Sequence, residues 1–547
     1  MGKDPTITLE NPYRSPRKPL PKHPRIMDTL YDWLTRAILT VNDWVWSPPL
    51  IALCLAAGLY FSLRTRFVQV RRFGEMFRLL FSGNRGEKKK TGISSFQAFA
   101  MALSGRVGTG NIVGVATAIA FGGPGAIVWM WLIAFFGAGS AFAEATLAQI
   151  YKEDHGGQFR GGPAYYIEKG LRSPFFGCLF AVLAAVACGF FLPPIHSNSI
   201  SLSFARTFDL PVWLVGIGVA LLIALVIIGG VKRIANVAQV VAPVMALVYI
   251  LLSIVVLLLH WQLVPEVFMQ MLRGAVGINE VSGALLGSTI AWGVKRGIYS
   301  NEAGQGSGAI VAAAAKVDNP VKQGLVQAFS VYIDTLLVCT ATAMMILACK
   351  TYNIVDTSIN GGAVTYLLQN PGAPEGEPGV FYTTNALSTV VGHRAGNTII
   401  AIALFFFAFT TIMTYYYYAE TNLVYLFNRW RRRIYKKHPE RLDELERADM
   451  HFGDDRREKV VIWVLRISLI ASVIIASMQS SGFVWELGDI GVGVMAWINV
   501  VAILLLSPKA LRTLKDYERQ KKEGKNPTFD PKALGIDCEY WNDEQRN

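Results

Sequence analysis

Apolar blocks that approach the roughly 20 residues needed to cross the hydrocarbon core of a bilayer recur along this chain. That recurrence restricts the chain to an all-α polytopic membrane protein, because a segment in lipid must satisfy its own backbone hydrogen bonds. About eleven spans are predicted, near 48–63, 93–120, 125–150, 177–204, 211–229, 235–259, 281–312, 325–349, 397–427, 460–479 and 484–506. The composition agrees: 52% of the 547 residues are hydrophobic, 17% are charged and the mean hydropathy is +0.36. A soluble chain of this length carries about 25% charged residues.

The net charge of +13 does not point to nucleic acid. Its basic residues collect in connections between apolar blocks, which is the positive-inside pattern. Arg64 to Lys90 follow the first span and Arg429 to Lys459 follow the ninth, whereas Gly122-Gly123-Pro124 and Ser480-Ser481 on the other side carry no charge. The expected placement is a cell inner (plasma) membrane, with the C-terminus cytoplasmic and, for eleven spans, the N-terminus outside. Lys3, Arg14, Arg17, Lys18, Lys22, Arg25 and Arg36 run against that last assignment. The six cysteines form no CxxC and lie mostly in apolar segments, so neither a disulfide framework nor a zinc site is implied. No signal-peptide core is visible in the Pro-rich first residues. The expected layout is an extension with an interfacial amphipathic stretch (Asp28 to Val41) in 1–44, an extra first helix and basic segment in 45–92, five-helix repeats in 93–260 and 261–508, and a basic tail in 509–547.

Two spans are interrupted. One contains Gly105-Arg106-Val107-Gly108-Thr109-Gly110-Asn111-Ile112-Val113-Gly114, the other Lys295-Arg296-Gly297-Ile298-Tyr299-Ser300-Asn301-Glu302-Ala303-Gly304-Gln305-Gly306-Ser307-Gly308. Counted from the second span they are the first and sixth of ten, matching positions in two five-helix halves. An odd number of spans per half inverts the second half, and paired discontinuous helices at matching positions point to a transporter site at the repeat interface. Unwound backbone at membrane depth is tolerated only where it lines a protein cavity. Amides near Thr109, Gly110 and Asn111 begin the second half-helix and suit a carboxylate. Carbonyls near Ser104 and Val107 end the first half-helix and suit sodium, with Thr109 and Asn111 adding side-chain oxygens. A phosphate loop is disfavoured because the spacing is GxGxxxG without a βαβ context. Glycines that merely permit close helix packing do not account for a second, matched break.

At these breaks the sequence resembles the alanine or glycine:cation symporter family, the sodium:alanine symporters. The resemblance is carried by Val107-Gly108-Thr109-Gly110-Asn111-Ile112, Gly122-Gly123-Pro124-Gly125, Trp129-Met130-Trp131, Gly161-Gly162-Pro163-Ala164-Tyr165-Tyr166-Ile167, Lys295-Arg296-Gly297, Ser300-Asn301-Glu302-Ala303-Gly304, Gln323-Gly324 and Asp334-Thr335, within about Trp46 to Pro508. It implies a leucine-transporter-like fold of two inverted five-helix repeats with discontinuous first and sixth core helices. It also implies sodium as coupling ion and small neutral amino acids as substrates. By the same resemblance the substrate meets Gly108, Thr109, Gly110 and Asn111, with Ser300 from the second break, and sodium lies among Ser104, Val107, Asn111, Thr410 and Thr411. Three positions depart from the family pattern: His196 stands in place of Gln, Gln305 in place of Met, and Tyr415 follows Thr411 where a Trp is usual. All three, with Thr411, are expected at or near the substrate, so alanine or glycine leads and glutamine or serine follows.

Charges within spans are expensive and mark function or pairing. Glu144 is expected to pair with Lys295 or Arg296 or to respond to protons, and Arg106 to face a cytoplasmic vestibule. Glu302 is expected to order the second break, Asp334 to make a packing bond or hold an ion, and Glu486 and Asp489 to sit at a helix boundary. A proton-coupled transporter is the nearest alternative; an ion channel would need a continuous polar lining, and no catalytic motif suggests an enzyme. No cofactor beyond the coupling ion, no nucleic-acid partner and a monomer in the bilayer complete the expectation. Thr109→Ala and Asn111→Ala should each abolish saturable amino-acid uptake while the folded protein is retained on size-exclusion chromatography. Wild-type kinetics in both would remove the first break from binding.

Overall fold

The computed structural model describes residues 26–81, 92–278, 285–356, 365–373, 379–437 and 456–544. Among these, eight helices are long and apolar enough to cross a membrane: Trp33–Arg64, Ala126–Ile150, Pro174–Phe208, Gly230–Leu259, Pro320–Ala348, His393–Ile434, Arg456–Ser477 and Ser481–Lys522. Three further predicted spans are shorter or interrupted. Val212–Ile227 is a single helix; the first core helix is divided into Ser95–Arg106 and Val115–Gly122, and the sixth into Leu286–Asn301 and Ser307–Ala314. We number the ten core helices from Ser95 onward, with Pro48–Arg64 ahead of them.

Local chemistry sets many of the boundaries. Ser94 and Gln97 form a reciprocal capping box at the start of core helix 1. Proline occupies the first turn at Pro48, Pro174 and Pro320, where its missing N–H costs nothing. The break in core helix 6 begins with Glu302 in the left-handed region (φ 56°) and continues through Gly304 (φ 83°) and Gly306 (φ 90°). Glycine holds such angles without the Cβ clash that other residues suffer.

The two broken helices lie antiparallel, which is the inversion expected from five spans per half. At one face Ile93, entering core helix 1, pairs with Ala315, leaving core helix 6, and Lys316 N–H donates to the Ile93 carbonyl at 2.9 Å. At the other face Ser288 and Thr289 donate to the carbonyls of Phe121 and Gly122, both at 2.7 Å. Ser95–Arg106 therefore packs on Ser307–Ala314, and Val115–Gly122 packs on Leu286–Asn301. Core helix 2 is the scaffold behind them, packed against Pro48–Arg64 and core helices 6, 7 and 10, while core helix 3 packs on core helices 8, 9 and 10.

The face carrying the basic segments is closed by a short antiparallel hairpin, Glu153–His155 with Gln158–Arg160. Arg160 donates to Glu420 at 2.6 Å and to Thr421 at 3.2 Å, tying the hairpin to core helix 8. His155 meets Glu458 of core helix 9 at 2.9 Å. Burial pushes the Glu153 carboxyl up, but Lys169 and Arg432 beside it outweigh burial and hold it below the usual carboxylate range. Residues 509–522, read in the sequence as tail, continue the last helix to Lys522. The chain then returns to this face, where Trp541 donates to the Gln149 carbonyl at 2.9 Å and the Thr528 carbonyl accepts from Asn319 at 3.0 Å. At the opposite face the helix Ile26–Val45, which contains the stretch expected at the membrane interface, packs on core helix 10.

Arg160 and Glu420 are both buried. Arg160→Met strands a buried carboxylate and should cost about 3–5 kcal/mol, read as a lower Tm in detergent. Arg160→Met with Glu420→Gln should recover most of the loss; an unchanged Tm in the single variant would show that the pair does not hold the hairpin.

Candidate binding site at the two helix breaks

The first half of core helix 1 ends at Val107, whose ψ of 89° turns the chain out of the helix. Asn111 closes the gap: its Oδ1 accepts the Gly108 N–H at 2.8 Å, and its own N–H donates to the Gly108 carbonyl at 3.2 Å. A wide turn, Gly110–Gly114, then leads into the second half. Such π-type turns recur at functional sites, and a second one, Tyr332–Cys339, interrupts core helix 7 beside it.

Two groups of side chains form around this break. In the first, Thr109 Oγ1 and His196 Nδ1 share a hydrogen bond of 2.6 Å, and the His196 ring lies 5.4 Å from that of Tyr415. Thr411 donates to the Ser104 carbonyl at 2.8 Å. Gly108 is pressed between them: a Cβ there would stand 2.5 Å from Thr411 Oγ1 and 3.2 Å from His196 Cε1. The structure thus brings together Ser104, Gly108, Thr109, His196, Thr411 and Tyr415, while Val107 ends the half-helix beside them. His196 Nε2 and Ser104 Oγ are buried and make no hydrogen bond among the described residues.

The second group centres on Asp334, fully buried in the π-type segment of core helix 7. Its carboxylate accepts from Asn111 Nδ2 at 2.6 Å, from Ser300 Oγ at 2.9 Å and from Thr335 Oγ1 at 2.7 Å. One side chain from each break therefore holds the same carboxylate. Gly110 joins the groups, since a Cβ there would lie 3.4 Å from the Ser300 Cα. Gln305 is fully buried with both amide atoms unbonded, and among the described residues no hydrogen bond ties its side chain to the other candidates.

Several expectations are corrected. Thr410 does not face the break: its hydroxyl bonds back to the Phe406 and Phe407 carbonyls and points toward Met245. Consecutive helical residues diverge by about 100°, so with Thr411 on Ser104 the neighbour on the same face is Thr414, which reaches the Met101 carbonyl at 3.4 Å. Arg106 faces no vestibule. It is buried, donating to the Asn301 carbonyl at 2.7 Å, to Gln327 Oε1 at 3.0 Å and to Ser330. Glu144 meets neither Lys295 nor Arg296; its Oε2 accepts from Asn499 at 2.9 Å, and the same amide donates to the Gly304 carbonyl at 2.8 Å. Lys295 and Arg296 belong instead to Asp489, a buried ion-pair residue and not a boundary residue, with Arg296 bidentate at 2.9 Å and Lys295 at 2.7 Å. Glu486 is bound by Asn42 of the N-terminal helix. Asp334 carried a signal in the sequence, an acid in an apolar run. The pairings of Arg106 and Asn499 carried none, because they cross nearly two hundred residues or more of chain.

The profile described as "Sodium:alanine symporter family" matches residues 31–438 and 448–531. The chain is 49% identical over 509 residues to the "Putative sodium/proton-dependent alanine carrier protein YrbD" of Bacillus subtilis (strain 168), covering 93% of this chain and 97% of that one. It is 40% identical over 501 residues to the "Probable sodium/glutamine symporter GlnT" of the same organism, with 91% and 94% covered. It is also 40% identical over 457 residues to the "Sodium/proton-dependent alanine carrier protein" of Bacillus sp. (strain PS3), with 83% and 95% covered.

Gly108→Ala drives a methyl group into Thr411 and His196. It should remove saturable uptake while leaving Tm within about 2 °C, since the strain is local and near 1–3 kcal/mol. Gly218→Ala, where a Cβ meets nothing within 4 Å, is the matched control. Normal uptake by Gly108→Ala would show that this contact is dispensable.

Proposed function

The chain belongs to the sodium:alanine symporter family, a family of cation-coupled amino-acid symporters, and on that premise we propose that it imports a small neutral amino acid with sodium by alternating access. The observation that carries this reading is the sharing of Asp334 between Asn111 of one break and Ser300 of the other. Among the described residues no basic side chain lies within ion-pair distance of that carboxylate. A buried carboxylate held only by neutral donors is costly, and a positive charge arriving with the ligands relieves it. Both breaks then respond to the same event, which is what a coupled transporter requires.

In this reading the substrate carboxylate meets the backbone around Gly108, Thr109 and Gly110, at the positive end of the second half-helix. Sodium lies by the Ser104 and Val107 carbonyls with the Thr411 hydroxyl, and the Thr411–Ser104 contact supports that placement. His196, Gln305 and Tyr415 line the side-chain end. The unbonded atoms of His196 and Gln305 favour tolerance of a polar side chain such as that of glutamine or serine, while the relatives named as alanine carriers favour alanine. The same names, which pair sodium with proton, support proton drive as a second reading. The basic face is proposed to be cytoplasmic, carrying the C-terminus, in the inner membrane of the cell.

Uptake of labelled alanine into proteoliposomes tests this, with an inward sodium gradient set against an equal potassium gradient and each unlabelled amino acid as competitor. Sodium-dependent, competable accumulation is expected. Accumulation driven by a proton gradient alone would favour the second reading, and accumulation under neither would overturn the proposal.

A further inference from the structure

Behind the binding residues lies a second polar cluster that the proposed transport leaves unused. Glu144 of core helix 2 and Glu302 of the second break are both fully buried. Glu144 Oε2 is held by Asn499, which also holds the Gly304 carbonyl and accepts from Tyr166. Glu302 Oε2 accepts from Tyr418 at 3.1 Å. Among the described residues, the remaining oxygen of each, Glu144 Oε1 and Glu302 Oε1, is buried without a well-formed hydrogen bond; the Gly304 backbone and the Ser307 hydroxyl are the nearest donors beside them. An ionised carboxylate tolerates such an orphaned oxygen poorly.

The pairing of charge sharpens the point. Two buried acids elsewhere have permanent cations: Glu420 has Arg160, and Asp489 has Lys295 and Arg296. Around the breaks, Arg106 is the basic side chain whose charge acts on Glu144, Glu302 and Asp334 alike, and among the described residues none of the three has an ion-pair partner. Among the described residues the hydrogen bonds of Arg106 go to Asn301, Gln327 and Ser330 and to none of the carboxylates. The other titratable groups beside the pair, among the described residues, are Tyr166, Tyr299, Tyr415, Tyr418 and Cys188, neutral when protonated. Three carboxyl groups against one guanidinium leave two positive charges to be supplied in a dry interior. A ligand charge at Asp334 supplies one.

We propose that Glu144 and Glu302 together form a proton-binding site that takes up one proton as the two breaks close around substrate and releases it when the second break opens to water. This rests on the symport reading and adds a proton-linked step to it. Asn499 is the positioning residue, because it couples the Glu144 carboxyl to the backbone that must move. The closed state holds one more proton than the open state, so substrate affinity is greatest at low pH and falls as pH rises.

The test is alanine binding to the purified full chain in saturating sodium, measured by isothermal titration calorimetry in buffers of different ionisation heat between about pH 5 and pH 9. Uptake of about one proton per alanine bound is expected at the alkaline end, with affinity falling up to about tenfold per pH unit. Glu144→Gln keeps an acceptor for Asn499; it should still bind alanine, with no proton uptake and a flat pH profile, and Glu302→Gln is the second variant. Buffer-independent heats and flat affinity in the unmodified protein would overturn the proposal alone. Proton uptake that persists in both variants would do the same. Absence of any binding heat would overturn the symport reading and this proposal with it.

Discussion

Arg106 is the residue on which the broken-helix architecture depends. It is the last residue of one half-helix, and its guanidinium caps the last carbonyl of another, at Asn301. C-terminal helix ends carry partial negative charge and orphaned carbonyls, and an interior without water offers them nothing. The buried guanidinium, carried at the end of one half-helix, serves the end of the other. Gly308, the second residue of the next half-helix, stands so close that a Cβ would lie 2.5 Å from Arg106 Nη2. Three of the four half-helices thereby meet at one planar cation, and the cost of interrupting them in lipid is offset in part.

From that junction the site is built outward. The Asn111 side chain bridges the gap in its own chain and reaches across to Asp334. Ser300 reaches the same carboxylate from the opposite repeat. Glu302 and Glu144 lie on the far side of the second break, toward Tyr418 and Asn499. The ligand-facing and rear clusters are thus the two sides of one discontinuity, and a movement of residues 302–306 alters both.

Hydropathy and glycine placement made the spans and both breaks legible, because span length and helix interruption are properties of local sequence. The inverted pairing was legible as well, through the count of spans between the breaks. The helical face of a threonine was harder to read: Thr410 and Thr411 are adjacent and chemically equal, and only the rotation of core helix 8 against core helix 1 chooses Thr411. Charge partners were least legible. Lys295 and Arg296 could answer Glu144 or Asp489 in sequence terms, and the choice is made by core helix 10, which presents Asp489 to them and Asn499 to Glu144.

The backbone link between Ile93 and Ala315 has a bearing on fidelity. It binds the start of one broken helix to the end of the other, as the Ser288 and Thr289 hydroxyls do at the opposite face. Each face therefore has a two-part door whose leaves are fastened edge to edge. If the proposed cation and solute are seated between them, they share every exit, and neither leaves alone without opening a seam. Leak, in such a device, is suppressed by joinery before any question of affinity arises.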